Sequence, residues 1–358
     1  MKLIVVIGTL RVGGAERVIS ILSGPFADSF KEVQYVLWDS NEVCYSIDPR
    51  VKIVSLTDLL NKGNRYQKIL GFRRYVKKER PNLILSFLTP FNMLTLSALI
   101  GIGIPVIVSE RADPKWVKGG RLMIGVRNIL YLKAKCILTQ TEYAKSCYKG
   151  KLNAKSKVIY NPVMMDDWMV GKALNSTKKK AFVTAGRLEP VKNQAMMIDA
   201  FRFFHESHPD YQLIIYGDGP MRNELSSHIQ SVGLQYSVVL AGNVDGLWEK
   251  MSTSECFLLT STNEGMSNAM IEAMCLGLPV VSTKVSGATD LIEDGKNGFL
   301  IDINDTSALS HRMSQLADSD SLRRSIGNQA KEVYQLLKKD IICKEWVSCL
   351  LSQIDTGG

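Results

Sequence analysis

The feature that most constrains the fold is a series of short apolar segments that recur along the whole chain, separated by stretches long enough for helices. In the first half these strand-like segments lie at 3–7, 33–38, 51–55, 83–88, 105–109, 136–139 and 157–160. In the second half they lie at 181–185, 212–216, 237–241, 256–260, 279–283 and 298–301. Strands that alternate with helices predict doubly wound parallel sheets.

The chain is long enough for two domains, because its 358 residues can bury two separate cores. The segment 163–180 is polar and is predicted to be irregular. We therefore expect an α/β protein with two Rossmann-like domains that face a central cleft. The expected divisions are a first domain at 1–163, a linker at 164–180, a second domain at 181–338 and a C-terminal helix at 339–358. The last part of the chain is expected to form two helical segments, at 307–338 and 340–354.

The uncharged run 83–109 is long enough to cross a membrane, but prolines and glycines divide it. We interpret it as a buried strand, a helix at 91–99 and a second buried strand. The N-terminus runs directly into a glycine loop and is predicted to be the first strand rather than a signal peptide. Seven scattered cysteines without Cys-x-x-Cys spacing indicate a reducing compartment, not a disulfide framework or a zinc site.

Glu264 and Glu272 lie eight positions apart, and a glycine-containing turn follows the first of them. The segment 269–276 has helical character, so Ser267 or Asn268 is predicted to cap a helix. Carboxylates accept hydrogen bonds from sugar hydroxyls, and free amides at a helix start donate them. The segment therefore suits a polyhydroxylated ligand, with two solvated glutamates as the alternative interpretation.

A second motif follows the strand at 181–185, where Gly186 precedes Arg187 and, five residues later, Lys192. A guanidinium can bind two oxygens at once, an ammonium supplies a point charge, and the start of the next helix adds a positive dipole end. This combination is typical of a diphosphate site. The next strand ends in a glycine- and proline-containing turn at 217–220.

In this order, the three elements resemble the retaining, nucleotide-sugar-dependent glycosyltransferases of family four, whose fold is called GT-B. The resemblance implies that the C-terminal helix can cross back to the first domain. It also implies transfer of a hexose or N-acetylhexosamine to a hydroxyl group, with the leaving phosphate accepting the proton of that hydroxyl. Arg187 and Lys192 would neutralise the leaving diphosphate. The implied catalytic residues are Glu264, Arg187 and Lys192, and the implied donor-binding residues are Gly13, Gly14, Gly242, Asn243, Val244, Gly265, Met266, Ser267, Asn268 and Glu272.

Within that set, the resemblance assigns the transferred hexose to Glu264 and the amides of 265–268, and the ribose hydroxyls to Glu272. It places the base beside 242–244. Gly13 and Gly14 lack the G-x-G-x-x-G dinucleotide pattern, and a tight turn without ligand contact remains the alternative for them.

Many relatives carry a histidine in the first domain, but all four histidines of this chain fall in the second. Glu110 and Arg111 occupy the corresponding loop. Arg111 can hold acceptor phosphate or donor, and a structural network between Glu110 and Arg111 is the alternative. Asn161 resembles a strand-end turn of the family.

No metal or cofactor is expected, because the single Asp-x-Asp sequence, 318–320, is interpreted as a helix cap. The expected donor is a nucleotide sugar, with uridine favoured over guanosine. Other possible functions are a catalytically silent sugar-nucleotide- or glycan-binding subunit and a GT-B sugar-nucleotide epimerase. An NAD-dependent dehydrogenase is disfavoured because its fingerprint is missing.

The charge is unevenly distributed: residues 1–175 hold 27 basic and 13 acidic side chains, and the remainder holds 17 and 22. The first half is therefore expected to face an anionic partner. No nucleic-acid-binding motif is present. A glycan or polyprenyl-diphosphate-linked saccharide acceptor fits better, with peripheral contact to an anionic membrane from the cytoplasm. Basic and apolar residues at 65–80 and 115–135 are candidates for that contact, and a solvated helix face is the favoured interpretation for 65–80.

Overall fold

The structure is a computed structural model that describes residues 1–11, 13–39, 43–60, 63–174 and 176–354. It divides the chain into two compact units, one formed by Met1–Pro162 together with the segment that starts at Lys339, the other by Val163–Lys338. Within the described ranges, the strands form one parallel sheet of seven strands and one of six.

The strands of the first unit are β1 (Lys2–Ile7), β2 (Glu32–Leu37), β3 (Lys52–Ser55), β4 (Leu83–Phe87), β5 (Val106–Ser109), β6 (Cys136–Thr139) and β7 (Ser156–Val158). Its sheet has the order β3-β2-β1-β4-β5-β6-β7. The helices are α1 (Gly14–Ser29), α2 (Leu56–Leu59), α3 (Arg65–Glu79), α4 (Thr89–Ala98), α5 (Gly120–Tyr131), α6 (Glu142–Ser146) and α7 (Lys151–Ala154).

The second unit begins with α8 (Asp167–Leu174). Its strands are β8 (Ala181–Ala185), β9 (Gln212–Tyr216), β10 (Val238–Gly242), β11 (Cys256–Leu259), β12 (Val280–Thr283) and β13 (Phe299–Ile301), in the order β10-β9-β8-β11-β12-β13. The other helices are α9 (Gln194–His205), α10 (Arg222–Ser231), α11 (Leu247–Ser252), α12 (Asn268–Cys275), α13 (Ser286–Leu291), α14 (Thr306–Asp318), α15 (Asp320–Ala330) and α16 (Val333–Leu337). A last helix, α17 (Lys339–Leu351), returns to the first unit.

The predicted strands are confirmed: every apolar run forms a strand, with ends shifted by no more than two residues. These runs are apolar because parallel strands are covered by helices on both faces. The strand β4, for example, is buried along its whole length. The interpretation of 83–109 as a strand, a helix and a strand is also confirmed.

The helices differ from the predictions at two places. The segment predicted to be irregular contains α8, whose Trp168 ring packs edge-on against the ring of Trp248, with centroids 5.4 Å apart. The predicted helical segment 307–338 consists of three helices. Ser319 ends α14 and its hydroxyl accepts the Leu322 amide to begin α15, and a turn after Ala330 separates α15 from α16. That bond confirms the interpretation of 318–320 as a helix cap.

Candidate active site

The loop after β8 is fastened to the end of β11. Pro190–Lys192 forms one 3-10 turn, and Asn193 then takes a left-handed conformation with a φ of 52°. The Thr260 hydroxyl donates to the carbonyls of Lys192 and Asn193, both at 3.0 Å. These bonds hold the backbone of the loop beside the carboxyl end of the neighbouring strand.

Lys192 and Glu264 form a direct ion pair. The Ser261 hydroxyl also donates to the Glu264 carboxylate, at 3.2 Å. β8 and β11 are the two strands at which the order of this sheet reverses, and ligands of open α/β sheets bind at that switch point. The two side chains are 22% and 17% exposed, so solvent or a ligand reaches both.

The segment after Glu264 forms the predicted helix start. Ser267 caps α12, and its hydroxyl accepts the amide of Met270 at 3.3 Å. Glu272 lies in the second turn of α12 and is 8% exposed. Backbone amides at a helix start are hydrogen-bond donors, which suits a ligand rich in oxygen.

Sequence reasoning missed Gly287, which stands near the start of α13. A Cβ atom at this position would lie 2.6 Å from the carbonyl oxygen of Gly265 and 2.8 Å from the Cα of Met266. Only glycine therefore lets α13 approach the 265–266 backbone. Tertiary packing sets this contact. The signal in the sequence that could have pointed to Gly287 is its position four residues after β12.

Arg187 is separate from the Lys192–Glu264 pair. Its guanidinium forms an ion pair with Glu189 at 3.1 Å, and the Arg187 side chain is 70% exposed. The side-chain amide nitrogen of Gln194 donates to the Arg187 carbonyl at 3.1 Å. This bond fixes the Arg187 backbone, while the Arg187 side chain stays in solvent. The arginine is therefore available to an anion at this edge of the sheet.

Glycines bring the loops after β8, β9 and β10 together. The Gly217 amide donates to the Gly242 carbonyl at 2.7 Å, and the Gly186 amide donates to the Tyr216 carbonyl at 3.0 Å. Arg222, which the sequence did not single out, donates to the Leu240 carbonyl at 3.1 Å. The segment 242–244 therefore lies at the carboxyl edge of the same sheet.

In the first unit, Gly13 caps α1 and Gly14 is its first residue. The Gly13 amide donates to the Tyr45 hydroxyl oxygen at 3.3 Å, and that hydroxyl lies 3.2 Å from the Gly13 carbonyl. Val12 lies outside the described residues. The glycines therefore form a helix start after β1, with tyrosine as a neighbour.

Glu110 and Arg111 follow β5 and are both buried, but they do not pair with each other. The Glu110 carboxylate accepts from the hydroxyls of Tyr131 and Tyr148 at 3.0 and 3.1 Å and from Thr89, and Arg127 lies 3.9 Å away. Burial raises the pKa of Glu110. The suggested Glu110–Arg111 network is wrong, because the two side chains bind different partners.

Arg111 instead contacts Asn161, whose side-chain oxygen accepts from its guanidinium. The guanidinium lies over the rings of Phe87 and Trp346, 5.7 and 5.9 Å from their centroids. Burial lowers the pKa of Arg111 to about 9. The sequence analysis names both Arg111 and Asn161 as candidate residues of the first domain, and the structure places their side chains in contact.

A match to a known protein family falls within the second unit. Residues 169–333 match the family described as glycosyl transferases group 1. The second unit carries a glycosyltransferase group 1 domain. The matched residues include β8, β11 and α12, so this glycosyltransferase domain holds Arg187, Lys192, Glu264 and Glu272.

Two curated relatives match nearly the whole chain, and both are from Campylobacter jejuni. One is 26% identical over 98% of both chains and is named GalNAc-alpha-(1->4)-GalNAc-alpha-(1->3)-diNAcBac-PP-undecaprenol alpha-1,4-N-acetyl-D-galactosaminyltransferase. The other is 27% identical over 98% of this chain and 99% of its own, and is named N-acetylgalactosamine-N,N'-diacetylbacillosaminyl-diphospho-undecaprenol 4-alpha-N-acetylgalactosaminyltransferase.

Solved structures show the fold of this chain. Anabaena HepE in complex with UDP and glucose superposes with a TM-score of 0.81 at 20% identity, covering 98% of this chain and all of HepE. An S. aureus TarM variant in complex with fondaparinux, alpha-GlcNAc-glycerol and UDP gives a TM-score of 0.80 at 14% identity, over 99% of this chain and all of TarM. The predicted GT-B fold is confirmed.

Proposed function

We propose that this glycosyltransferase moves a hexose or N-acetylhexosamine from a UDP-linked donor to a hydroxyl of a glycan or polyprenyl-diphosphate-linked saccharide, with retention at the anomeric carbon. The observation that carries the proposal is the Lys192–Glu264 ion pair at the switch point of the second sheet. It joins one cation and one sugar-binding carboxylate at the edge where nucleotide ligands bind in such sheets.

The proposed chemistry needs two cationic side chains for the leaving diphosphate and one acceptor hydroxyl. The bond between the anomeric carbon and the diphosphate oxygen breaks as the acceptor oxygen attacks from the same face, and the hydroxyl proton passes to the leaving phosphate. Arg187 and Lys192 neutralise the negative charge that grows on the diphosphate, so the proposal requires no metal ion. Glu264 holds sugar hydroxyls and Glu272 the ribose.

The donor and acceptor classes rest on the relatives. HepE was solved with UDP and glucose, and both Campylobacter relatives are named for transfer to undecaprenol-diphosphate-linked saccharides. The first-unit residues Gly13, Gly14, Glu110, Arg111 and Asn161 are proposed to shape the donor or acceptor site. The proposal places the enzyme in the cytoplasm, on the inner face of the membrane.

Thermal stabilisation by a panel of UDP- and GDP-sugars, each with and without EDTA, tests the donor assignment. We expect a raised melting temperature with UDP compounds that persists in EDTA, because a ligand that binds only the folded protein stabilises it. The Glu272→Ala variant should bind UDP more weakly in calorimetry, whereas Glu224→Ala, at an exposed position, should not. Stabilisation by donors without transfer or release of UDP would favour the silent subunit.

We further propose that α5 lies on an anionic membrane surface. Trp116 before α5, Leu122 and Ile129 on it, and Leu132 just after it are 75%, 78%, 67% and 47% exposed. Exposed basic side chains flank them, at Lys115, Lys118, Arg121, Lys133 and Lys135. Arg127, expected on the same surface, is buried and donates to the Pro114 carbonyl at 2.6 Å.

An exposed apolar face flanked by cations suits an interfacial helix, with about 1 kcal/mol from each surface cation. No helix in the described part of the chain is both long and apolar enough to span a membrane. We expect co-sedimentation with phosphatidylglycerol vesicles that weakens in Leu122→Glu/Ile129→Glu and at high salt. Equal sedimentation of both proteins, or no sedimentation at all, would contradict the membrane contact.

A further inference from the structure

The second unit contains a cavity of about 470 Å³ that the proposed reaction does not use. Its walls include Lys178, which precedes β8, Glu255, which precedes β11, and Pro279, which precedes β12. The cavity thus lies at the amino ends of these parallel strands. Lys192 and Glu264 follow the carboxyl ends of the same sheet, so the cavity and the candidate donor site are on opposite edges.

Cations outnumber carboxylates on the cavity walls. The charged lining residues are Lys178, Arg323, Arg324, Lys331, Glu255 and Asp320. Both carboxylates are already compensated, because Asp320 pairs with Arg324 at 2.8 Å and Glu255 lies 3.5 Å from Arg323. The Glu255 carboxylate also accepts from the Tyr211 hydroxyl at 2.7 Å.

The two lysines are left without a contacting carboxylate among the described residues. The Lys178 ammonium donates to the Ser252 carbonyl at 2.7 Å, and the Lys331 ammonium donates to the Asn328 side-chain oxygen at 3.3 Å. Lys178 is exposed at the rim of the cavity, and the partial desolvation of its ammonium lowers its pKa, while nearby Glu255 acts in the opposite direction. Neutral acceptors hold these cations in place but do not cancel their charge, so a negative ligand would be favoured between them.

We propose that this cavity is a second ligand site, which binds a small phosphate-bearing anion such as a sugar phosphate or a diphosphate. The volume falls in the range of about 300–1,000 Å³ that is usual for small-molecule sites. Lys178 and Lys331 supply the charge for the phosphate oxygens, while the side chains of Asn328 and Ser176 on the same wall can bind hydroxyl groups. The site is distinct from the one assigned to the nucleotide sugar.

Calorimetric titration with inorganic diphosphate tests the proposal in the full chain. The titration uses the Arg187→Ala/Lys192→Ala variant, in which the cations of the candidate donor site are removed. We expect this variant to bind one diphosphate. Adding Lys331→Gln should weaken the affinity on the order of tenfold, the usual effect of losing one charged hydrogen bond.

Two further variants make the result specific. Lys178→Met, which keeps most of the side-chain stem, should weaken binding to a similar extent, with an unchanged thermal midpoint as evidence of folding. Lys250→Gln, at an exposed lysine outside the cavity, should bind diphosphate as its parent does. An absence of binding in the Arg187→Ala/Lys192→Ala variant, or equal affinity after Lys331→Gln, would overturn the proposed site.

Discussion

At the scale of single residues, Lys192 and Arg187 carry the proposed catalytic charge. Removing one positioned donor for a developing negative charge costs about two to three orders of magnitude in turnover. We predict that Lys192→Ala and Arg187→Ala each lower kcat by this amount while the thermal midpoint stays near that of the wild type. Glu189→Gln, which removes the charge of the half-buried ion-pair partner of Arg187, serves as the matched control and should keep most activity. Full activity in both alanine variants would contradict the proposal that Lys192 and Arg187 neutralise the leaving diphosphate.

Glu110 provides a prediction about pH. Because burial raises its pKa above the usual 4.5, the folded protein holds this proton more tightly than the unfolded chain does. Its stabilising contribution is therefore complete below 4.5 and is lost as the pH rises through the higher folded-state pKa. The stability difference between wild type and Glu110→Gln should shrink over that range.

The measurement is urea unfolding of both proteins from pH 4 to pH 8, under conditions where each stays folded. Glu142→Gln, which removes an exposed carboxylate of the same unit, is the control and should show no such trend. A difference that stays constant, or grows with pH, would show that the folded protein does not raise the pKa of Glu110.

The residues show how far sequence reasoning reaches. Local signals were enough for the Ser267 cap, because a helix start is decided by residues three positions apart. They failed for Glu110 and Arg111, whose partners Tyr148 and Asn161 stand 38 and 50 positions away. Contacts at such separations depend on the order of the strands, which no local pattern contains.

At the scale of elements, Gly217 holds two loops of the candidate site together. Its φ is +118°, and a Cβ atom would lie 2.0 Å from the Gly186 carbonyl oxygen. Gly233 also has a positive φ, of +77°, but a Cβ atom there would meet nothing within 4 Å. We predict that Gly233→Ala costs about 1 kcal/mol for backbone strain alone and Gly217→Ala at least about 3 kcal/mol.

Chemical denaturation of the two glycine variants measures this difference. Gly217→Ala should also weaken UDP binding, because its loop contacts the segments proposed for the diphosphate and the base. Equal losses of stability in the two variants would mean that the close approach of the loops is not needed.

The apolar pattern of the sequence predicted the strands well, whereas polar composition was a poor guide to where helices are absent. All strand positions followed from buried apolar runs, since a parallel sheet leaves few polar positions. Helix α8 was missed because it is only eight residues long and the residues that follow it, 176–180, are polar. What stabilises it is the contact of Trp168 with Trp248, a residue eighty positions away.

At the scale of the whole molecule, α17 completes the first unit from the far end of the chain. Trp346 is fully buried and stacks on Phe87 of β4, with ring centroids 5.6 Å apart. Replacing a buried tryptophan by alanine costs about 3–5 kcal/mol, so we predict such a loss for Trp346→Ala in thermal or urea unfolding. Ile341→Ala, on the same helix but 49% exposed, should cost far less. Similar losses in both variants would contradict the packing of α17.

The return of α17 was expected from the resemblance to GT-B proteins, not from the pattern of its residues. The apolar residues of a helix predict that it packs against another surface, but the fold decides which surface that is. In the same way, the sequence placed the group of candidate residues at strand ends, whereas the pairing of Lys192 with Glu264 depends on β8 and β11 being neighbours.

The most direct test of the central claim is the anomeric configuration of the transfer product. The enzyme is incubated in EDTA with α-linked UDP-sugars and an undecaprenyl-diphosphate saccharide, and the new linkage is assigned by NMR. The account predicts an α-linked product whose formation needs Lys192. A β-linked product would contradict retention, and transfer that requires an added metal ion would contradict the role given to Arg187 and Lys192.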